Sequence, residues 1–302
     1  MNVGVIGLGM MGSQIALRLA LKGHKVIVFN RDKSKVEKLN TSGTTVLKVA
    51  NQPKEIGNSS DIAIICVKDY QAVSNISFME GGLIETLNTE LIVIQCSTIS
   101  PDESSKLADL YSKKRIRMLT VPMLGGTAAV QKGKIILIGA GSKTAYEVAE
   151  PILKDFSAQI FYTGSDHKAA SALKLAVNIN IALIALALAE GLVFARGTGV
   201  DTSAFVKILN STYFRTGISE NKGPRIANDD YTATFYLMNM VKDLDLALRT
   251  AYSSGLSLPG TASAETVYRA SEAFGLSMKD YTSVASFLLK LNGFNTFRGD
   301  GE

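Results

Sequence analysis

Lys174 and Asn178 stand one helical turn apart in a run dominated by alanine, leucine and isoleucine. At i and i+4 the two side chains share a helix face, which sets an ammonium beside a carboxamide in apolar surroundings. Burial would lower the lysine's pKa and make it an acid–base group near neutrality. Such a group suits a reaction in which charge grows on a carbonyl oxygen as hydride arrives, because that oxygen needs a proton or a counter-charge. The competing reading is a lysine that snorkels to solvent from a buried helix.

A second constellation lies near the other end of the chain. Gly7-Leu8-Gly9-Met10-Met11-Gly12 follows a short apolar run and opens a helical pattern. In that setting Gly7 allows the tight turn, Gly9 lets a pyrophosphate approach the backbone, and Gly12 permits close helix–strand packing, with the free amides of the helix start facing the phosphates. About 20 residues on, an acidic side chain would bind the ribose 2′-hydroxyl of NAD. This chain reads Phe29-Asn30-Arg31-Asp32-Lys33-Ser34-Lys35 there. Asn30 replaces the carboxylate, and Arg31 with Lys35 offers the donors that a 2′-phosphate needs. The expected cofactor is NADP, with NAD possible. The bland alternative is a solvated helix start capped by Asp32 or Ser34.

The elements that must position these residues alternate in the first half. Residues 3–6, 26–29, 62–67, 91–95, 118–121 and 135–138 are β-branched-rich runs, with helical patterns such as 14–22 and 102–113 between them. Strands separated by helices imply a parallel sheet covered on both faces. From His167 the chain turns to continuous helix formers, and further helices are expected over 202–210, 234–252, 259–274 and 281–291. The expected fold is therefore α/β: a doubly wound dinucleotide domain over 1–164, then an all-helical domain over 165–302, joined by a long helix. Within that helix, 179–195 is the most apolar stretch, and Asn180 and Glu190 are expected to interrupt it short of a membrane span. Residues 299–302 read as a frayed end.

Composition narrows the partners. At 302 residues and 46% hydrophobic, the chain has ample core for two domains. Lys+Arg 32 against Asp+Glu 27 leaves +5, scattered rather than clustered, which favours small anionic ligands over nucleic acid. Two cysteines, Cys66 and Cys96, and two histidines leave few ligands for zinc, so no metal is expected. The thiols read as reduced, and the first strand pattern starts at Asn2 with no leader before it, so a cytoplasmic protein is expected.

Five separated segments then carry a resemblance: Gly4-Val5-Ile6-Gly7-Leu8-Gly9-Met10-Met11-Gly12, Ser97-Thr98-Ile99-Ser100-Pro101, Val121-Pro122-Met123-Leu124-Gly125-Gly126, Lys174-Leu175-Ala176-Val177-Asn178, and Lys242-Asp243-Leu244-Asp245-Leu246-Ala247. In this order and spacing the chain resembles the β-hydroxyacid dehydrogenase family over essentially its whole length. The resemblance implies that Lys174 is the catalytic lysine, with Asn178 beside the reacting oxygen. It implies that Thr98 and Lys242 contact the cofactor and that Val67 and Lys68 line its groove. Ser97, Leu124, Gly125 and Gly126 would meet the substrate, the two glycines by backbone amides to a carboxylate. Ser97 and Thr98 equally suit a helix N-cap, and Lys242 beside two aspartates equally suits a solvated ion-pair face.

Three departures stand out. Thr120 replaces the family's acidic residue, Leu124 its serine, and His167-Lys168-Ala169-Ala170 its small, glycine-spaced run. The resulting expectation is an NADP-preferring oxidoreductase that interconverts a small carboxylated hydroxyacid and its semialdehyde or oxo acid. It would be a homodimer or homotetramer, with neither nucleic acid nor membrane as partner. The alternatives are an imine reductase or a catalytically silent NADP-binding scaffold; by the same resemblance, relatives of the first kind usually replace the lysine and those of the second lack it, so Lys174 argues against each.

Overall fold

Isoleucine and valine fill the central strands because both faces of the sheet are covered. The computed structural model describes residues 1–42 and 47–297; the expected frayed end at Gly299, Asp300, Gly301 and Glu302 lies outside them. The chain divides into two compact units, Met1–Lys174 and Leu175–Glu302.

In the first unit β1 (Asn2–Ile6), α1 (Met10–Leu21), β2 (Lys25–Phe29), α2 (Lys33–Ser42), β3 (Lys48–Val49), α3 (Pro53–Ser59), β4 (Ile62–Ile65), α4 (Tyr70–Phe78), β5 (Ile92–Gln95), α5 (Pro101–Lys113) and β6 (Arg117–Thr120) follow in turn. The strands lie in the order β3-β2-β1-β4-β5-β6 and are parallel throughout that series. This order reverses between β1 and β4, the switch point at which such sheets bind ligands beyond their strand ends. One apolar layer buries Ile15 and Leu19 of α1; the other buries Ile56 of α3, Val73 of α4 and Leu107 of α5.

Beyond β6 the sheet departs from the expected all-parallel pattern. β7 (Met123–Leu124) and α6 (Thr127–Gln131) precede β8 (Ile135–Gly141), which runs antiparallel to both β6 and β7. After α7 (Lys143–Phe156), β9 (Ser157–Tyr162) returns parallel to β8. The two-residue strands are too short to leave a sequence pattern, and β9 is largely exposed, so it lacks a buried period.

The second unit is helical: α8 (His167–Gly197), which begins in the first unit, then α9 (Thr202–Asn210), α10 (Gly217–Ala227), α11 (Leu237–Ser253), α12 (Pro259–Ser271) and α13 (Val284–Leu291). Helix α8 is unbroken over 31 residues, and by length and composition it is sufficient to cross a membrane. The long helix is as expected, but the expectation that Asn180 and Glu190 interrupt its apolar stretch short of a membrane span is corrected; both residues are exposed. Its Ala182, Ala185, Leu188, Ala189 and Leu192 form core of the second unit. By packing, the two units part at Lys174/Leu175, inside α8. The first turns of α8 are bonded into the first unit, through His167 to Thr120, Lys168 to Asp102 and Ser171 to Ser104.

A buried ion pair organises the approach to α11. Asp280 is fully buried, and Lys222 of α10 donates to both its oxygens at 2.8 and 2.9 Å. The Thr234 amide and the Thr282 hydroxyl each add a bond at 2.8 Å. Burial alone would raise the Asp280 pKa, but the ammonium and these donors hold it below the ordinary aspartate value. Removing one partner of such a pair strands the other. Asp280→Ala is expected to lower the unfolding free energy by about 3–5 kcal/mol in urea melts. Because the folded pKa is depressed, the pair's contribution is complete above the unfolded aspartate pKa of about 4 and is lost as pH falls through the lower folded value. A wild-type acid limb that Asp280→Asn leaves unchanged would contradict this.

Candidate functional site

The loop between β1 and α1 has the three properties a dinucleotide requires. Gly7 adopts φ 95°, and a Cβ there would meet the Cys66 carbonyl at 2.3 Å. A Cβ on Gly12 would stand 1.9 Å from the Gly7 carbonyl oxygen, so α1 closes on the turn only because no side chain intervenes. A Cβ on Gly9 would meet nothing within 4 Å. That open side of the loop, at the start of α1, leaves the backbone accessible to a pyrophosphate. Leu8 and Gly12 are buried, whereas Met10 and Met11 are half-buried at the helix start.

The end of β2 is stitched to this loop. The Gly7 amide donates to the Phe29 carbonyl and the Leu8 amide to Asn30 Oδ1, both at 2.9 Å. Asn30 Nδ2 in turn donates to the Asp32 carbonyl at 2.8 Å, so the Asn30 side chain is built into the turn. Arg31 and Lys35 are exposed beside it. Asp32, as one of the two proposed caps, accepts from the Ser34 amide and hydroxyl at 3.1 and 2.7 Å.

At the ends of β4 and β5 the Val67 amide donates to Ser97 Oγ at 2.9 Å, which ties the two strand ends together. Lys68 is exposed and Thr98 half-buried. The helix-cap reading of Ser97 and Thr98 is corrected: Ser100 caps α5 and forms a reciprocal capping box with Glu103. Cys96 is buried and Cys66 half-buried, and burial pushes the Cys66 thiol up to about 12, which leaves it a poor nucleophile.

Along α8, Lys174 is 7% exposed and Asn178 2%, so neither reaches bulk solvent and the snorkelling reading fails. Asn178 Nδ2 donates to Asp243 Oδ2 of α11 at 2.5 Å. Asp243 is 1% exposed, and Lys242 Nζ donates to its other oxygen at 2.7 Å. The pair Lys242–Asp243 is therefore no solvated face: its carboxylate is buried and holds the Asn178 amide. Asp243 is the residue that sequence reasoning passed over, because a lysine followed by an aspartate in a helix reads as surface.

The same face of α8 carries two further polar groups toward its start. His167 Nδ1 lies 3.0 Å from Thr120 Oγ1, and Ser171 Oγ 2.6 Å from Ser104 Oγ. Burial holds the His167 imidazole below its ordinary pKa, despite Asp166 and Asp109 nearby. The Leu124 side chain packs against Ile138, Ala140 and Ala170. Next to it Gly125 takes φ 127°, a conformation that favours glycine, and Gly126 precedes α6. Among the described residues no cluster of metal-ligating side chains occurs.

Known proteins share this organisation. Residues 2–164 match the NAD binding domain of 6-phosphogluconate dehydrogenase, and residues 169–288 match the domain described as NAD-binding of NADP-dependent 3-hydroxyisobutyrate dehydrogenase. The chain is similar to the uncharacterised oxidoreductase YfjR of Bacillus subtilis (strain 168), 34% identical over 86% of this chain and 90% of that one. It is 28% identical to glyoxylate/succinic semialdehyde reductase 1 of Arabidopsis thaliana, over 94% of this chain and 97% of that one. In fold it resembles a 3-hydroxyisobutyrate dehydrogenase from Salmonella typhimurium, with a TM-score of 0.84 at 21% identity, covering 95% and 99% of the two chains.

The glycine geometry separates two substitutions. Gly9→Ala places its methyl in open space and is expected to change stability by no more than about 0.5 kcal/mol, while weakening NADPH binding by about tenfold or more. Gly12→Ala drives a methyl into the Gly7 carbonyl and is expected to cost about 1–3 kcal/mol of stability as well. Thermal melts with and without NADPH check both; equal melting temperatures for the two apo variants would contradict the packing argument.

Proposed function

The chain belongs to the β-hydroxyacid dehydrogenase family and is an NAD(P)-dependent hydroxyacid dehydrogenase; within that activity, we propose that it prefers NADP and interconverts a small β-hydroxyacid with its semialdehyde or oxo acid, using Lys174 as acid and base. The observation that carries this reading is the burial of Lys174 and Asn178 on one face of α8, with the Asn178 amide held by the buried Asp243.

In this proposal the loop of Gly7, Leu8, Gly9, Met10, Met11 and Gly12 holds the pyrophosphate. Asn30 shapes the ribose end, where Arg31 and Lys35 meet the 2′-phosphate. Val67 and Lys68 border the groove, and Thr98 and Lys242 position the nicotinamide half. When bound, the nicotinamide exchanges a hydride with the substrate carbon. Lys174 Nζ gives a proton to the carbonyl oxygen in the reductive direction and takes it from the hydroxyl in the oxidative one. An amide carries two N–H donors; with one committed to Asp243, the plane of Asn178 and the direction of the second are set. Gly125 and Gly126 offer backbone amides to the substrate carboxylate, with Ser97 nearby in the role the resemblance implies. Leu124 gives that loop an apolar wall where a serine hydroxyl would otherwise stand, which favours a small substrate with an apolar group beside its carboxylate.

The reading extends to a homodimer or homotetramer, supported by the exposed Phe194, Ile208, Phe214 and Leu291 of the second unit. It extends also to a cytoplasmic location with neither membrane nor nucleic acid as partner, supported by two unbridged thiols and scattered cations. Lys174 again disfavours the imine-reductase and silent-scaffold alternatives.

Lys174→Ala is expected to lower kcat by about 10²–10⁴-fold while leaving NADPH binding nearly intact. The assay is NADPH oxidation with glyoxylate, succinic semialdehyde and methylmalonate semialdehyde, alongside a fluorescence titration of NADPH. Turnover that survives in the variant would remove the lysine from its proposed role.

A further inference from the structure

Helix α11 does not cap itself. Tyr236 precedes it and supplies no side-chain bond, and its first amides are met from another segment. The Leu237 amide donates to the Lys279 carbonyl at 2.9 Å and the Met238 amide to the Ser277 carbonyl at 3.1 Å. That segment leads into Asp280, which is laced to the chain entering α11. The Asp280 amide donates to the Tyr231 carbonyl at 3.0 Å and the Tyr281 amide to the Phe235 carbonyl at 2.9 Å. The carboxylate completes the join. Its Oδ2 accepts from the Thr234 amide and hydroxyl at 2.8 and 2.9 Å, and its Oδ1 from the Thr282 hydroxyl at 2.8 Å. Lys222 Nζ donates to both oxygens and also to Thr234 Oγ1 at 2.7 Å. The same ammonium lies over the Tyr281 ring, 5.2 Å from its centroid, and Phe235 meets that ring edge-on at 6.2 Å. The start of α11 is therefore fixed by α10 and by residues 277–282, not by its own side chains.

The buried face of α11 offers no such fixing. Leu237, Met240, Val241 and Leu244 pack into the core of the second unit, and apolar contacts of this kind exchange for one another at little cost. Asp243 stands on the same helix, about 9 Å along the axis from Leu237, and holds the Asn178 amide. A slide of α11 by one residue, about 1.5 Å, alters the length or the angle of that bond and so turns the amide. A buried ion pair is a poor way to add stability, since packed apolar side chains of the same volume often serve as well. What they cannot supply is direction. We infer that Asp280, with Lys222, is a positioning residue of the reaction: it fixes the axial position of α11, so that Asp243 meets Asn178 and aims the amide at the reacting oxygen. The inference rests on the proposed place of Asn178 beside that oxygen.

The test is a kinetic cycle on the full-length protein, with NADPH and the best substrate among glyoxylate, succinic semialdehyde and methylmalonate semialdehyde. Rates are taken at a temperature where circular dichroism shows each variant folded. Lys222→Met keeps the aliphatic stem and removes the ammonium. Lys222→Met/Asp280→Asn removes both charges and is expected to recover much of the melting temperature that the single variant loses. In both, kcat is expected to fall by about 10–100-fold. In an Asn178→Ala background the same changes are expected to cost less than about twofold, because the group they would misplace is gone. If the folded variants keep the wild-type kcat while only the melting temperature falls, the pair is a scaffold alone and the inference is overturned. Recovery of kcat together with melting temperature in the double variant overturns it equally. Losses of the same size in the wild-type and Asn178→Ala backgrounds overturn the route through Asp243. If Asn178→Ala by itself leaves kcat unchanged, the proposed place of Asn178 fails, and the inference fails with it.

Discussion

A polar atom buried without a partner costs about 1–3 kcal/mol, and helix α8 carries four polar side chains along one face of a rod rich in alanine and leucine. His167, Ser171, Lys174 and Asn178 recur at the i, i+4, i+7, i+11 spacing that keeps residues in line. Thr120 answers His167, Ser104 answers Ser171 and Asp243 answers Asn178. An alanine- and leucine-rich helix has many near-equivalent ways to pack, since one small apolar contact replaces another at little cost. Hydrogen bonds have no such degeneracy. Rotation of α8 by one residue, about 100°, would strand all of these groups at once. The stripe therefore sets the azimuth of the helix, and with it the face on which Lys174 is presented.

The glycine turn works through a different constraint, steric rather than polar. Its three glycines are not interchangeable: Gly7 is required by φ, Gly12 by a carbonyl 1.9 Å from where a Cβ would be, and Gly9 by nothing in the chain itself. A residue whose side chain the fold would tolerate, yet which stands bare at the start of α1, points outward to a ligand. The strand reversal between β1 and β4 places this turn at the switch point of the sheet. Topology and local sterics thus meet at the same few residues.

Features written in a short stretch of chain were legible from sequence, and those written between distant residues were not. The turn at Gly7–Gly9–Gly12, the β-branched core strands and the i, i+4 pair in α8 all depend on neighbours within one element. The cap of α5 lies two to three residues beyond the expected Ser97 and Thr98, because Ser97, Thr98 and Ser100 each suit a cap by type. Only the return bond from Glu103 distinguishes Ser100, while Ser97 is drawn to Val67 on the adjacent strand end. Asp243 was hidden by its neighbour: next to Lys242 it resembles a surface ion pair, and its burial follows only from the packing of α11. The composition changes at 164, where the first matched domain also ends, and the packing units part at Lys174/Leu175 because the first turns of α8 are bonded into the sheet domain.

The departures from the family pattern look like losses when taken singly and like matched exchanges when taken by contact. Thr120 stands where the family has an acidic residue, and its partner is His167, from the segment that replaces the glycine-spaced run. A carboxylate at 120 would face an imidazole that burial already keeps toward its neutral form; a threonine hydroxyl pairs with that form at no cost in charge, because it can donate to or accept from either tautomer. Leu124, where the resemblance implies a serine, packs against the cluster of Ile138, Ala140 and Ala170, the last from the same replaced segment. Thr120 and Leu124 thus each meet a group from residues 167–170 at the start of α8, Thr120 through its hydroxyl on His167 and Leu124 through the cluster that includes Ala170.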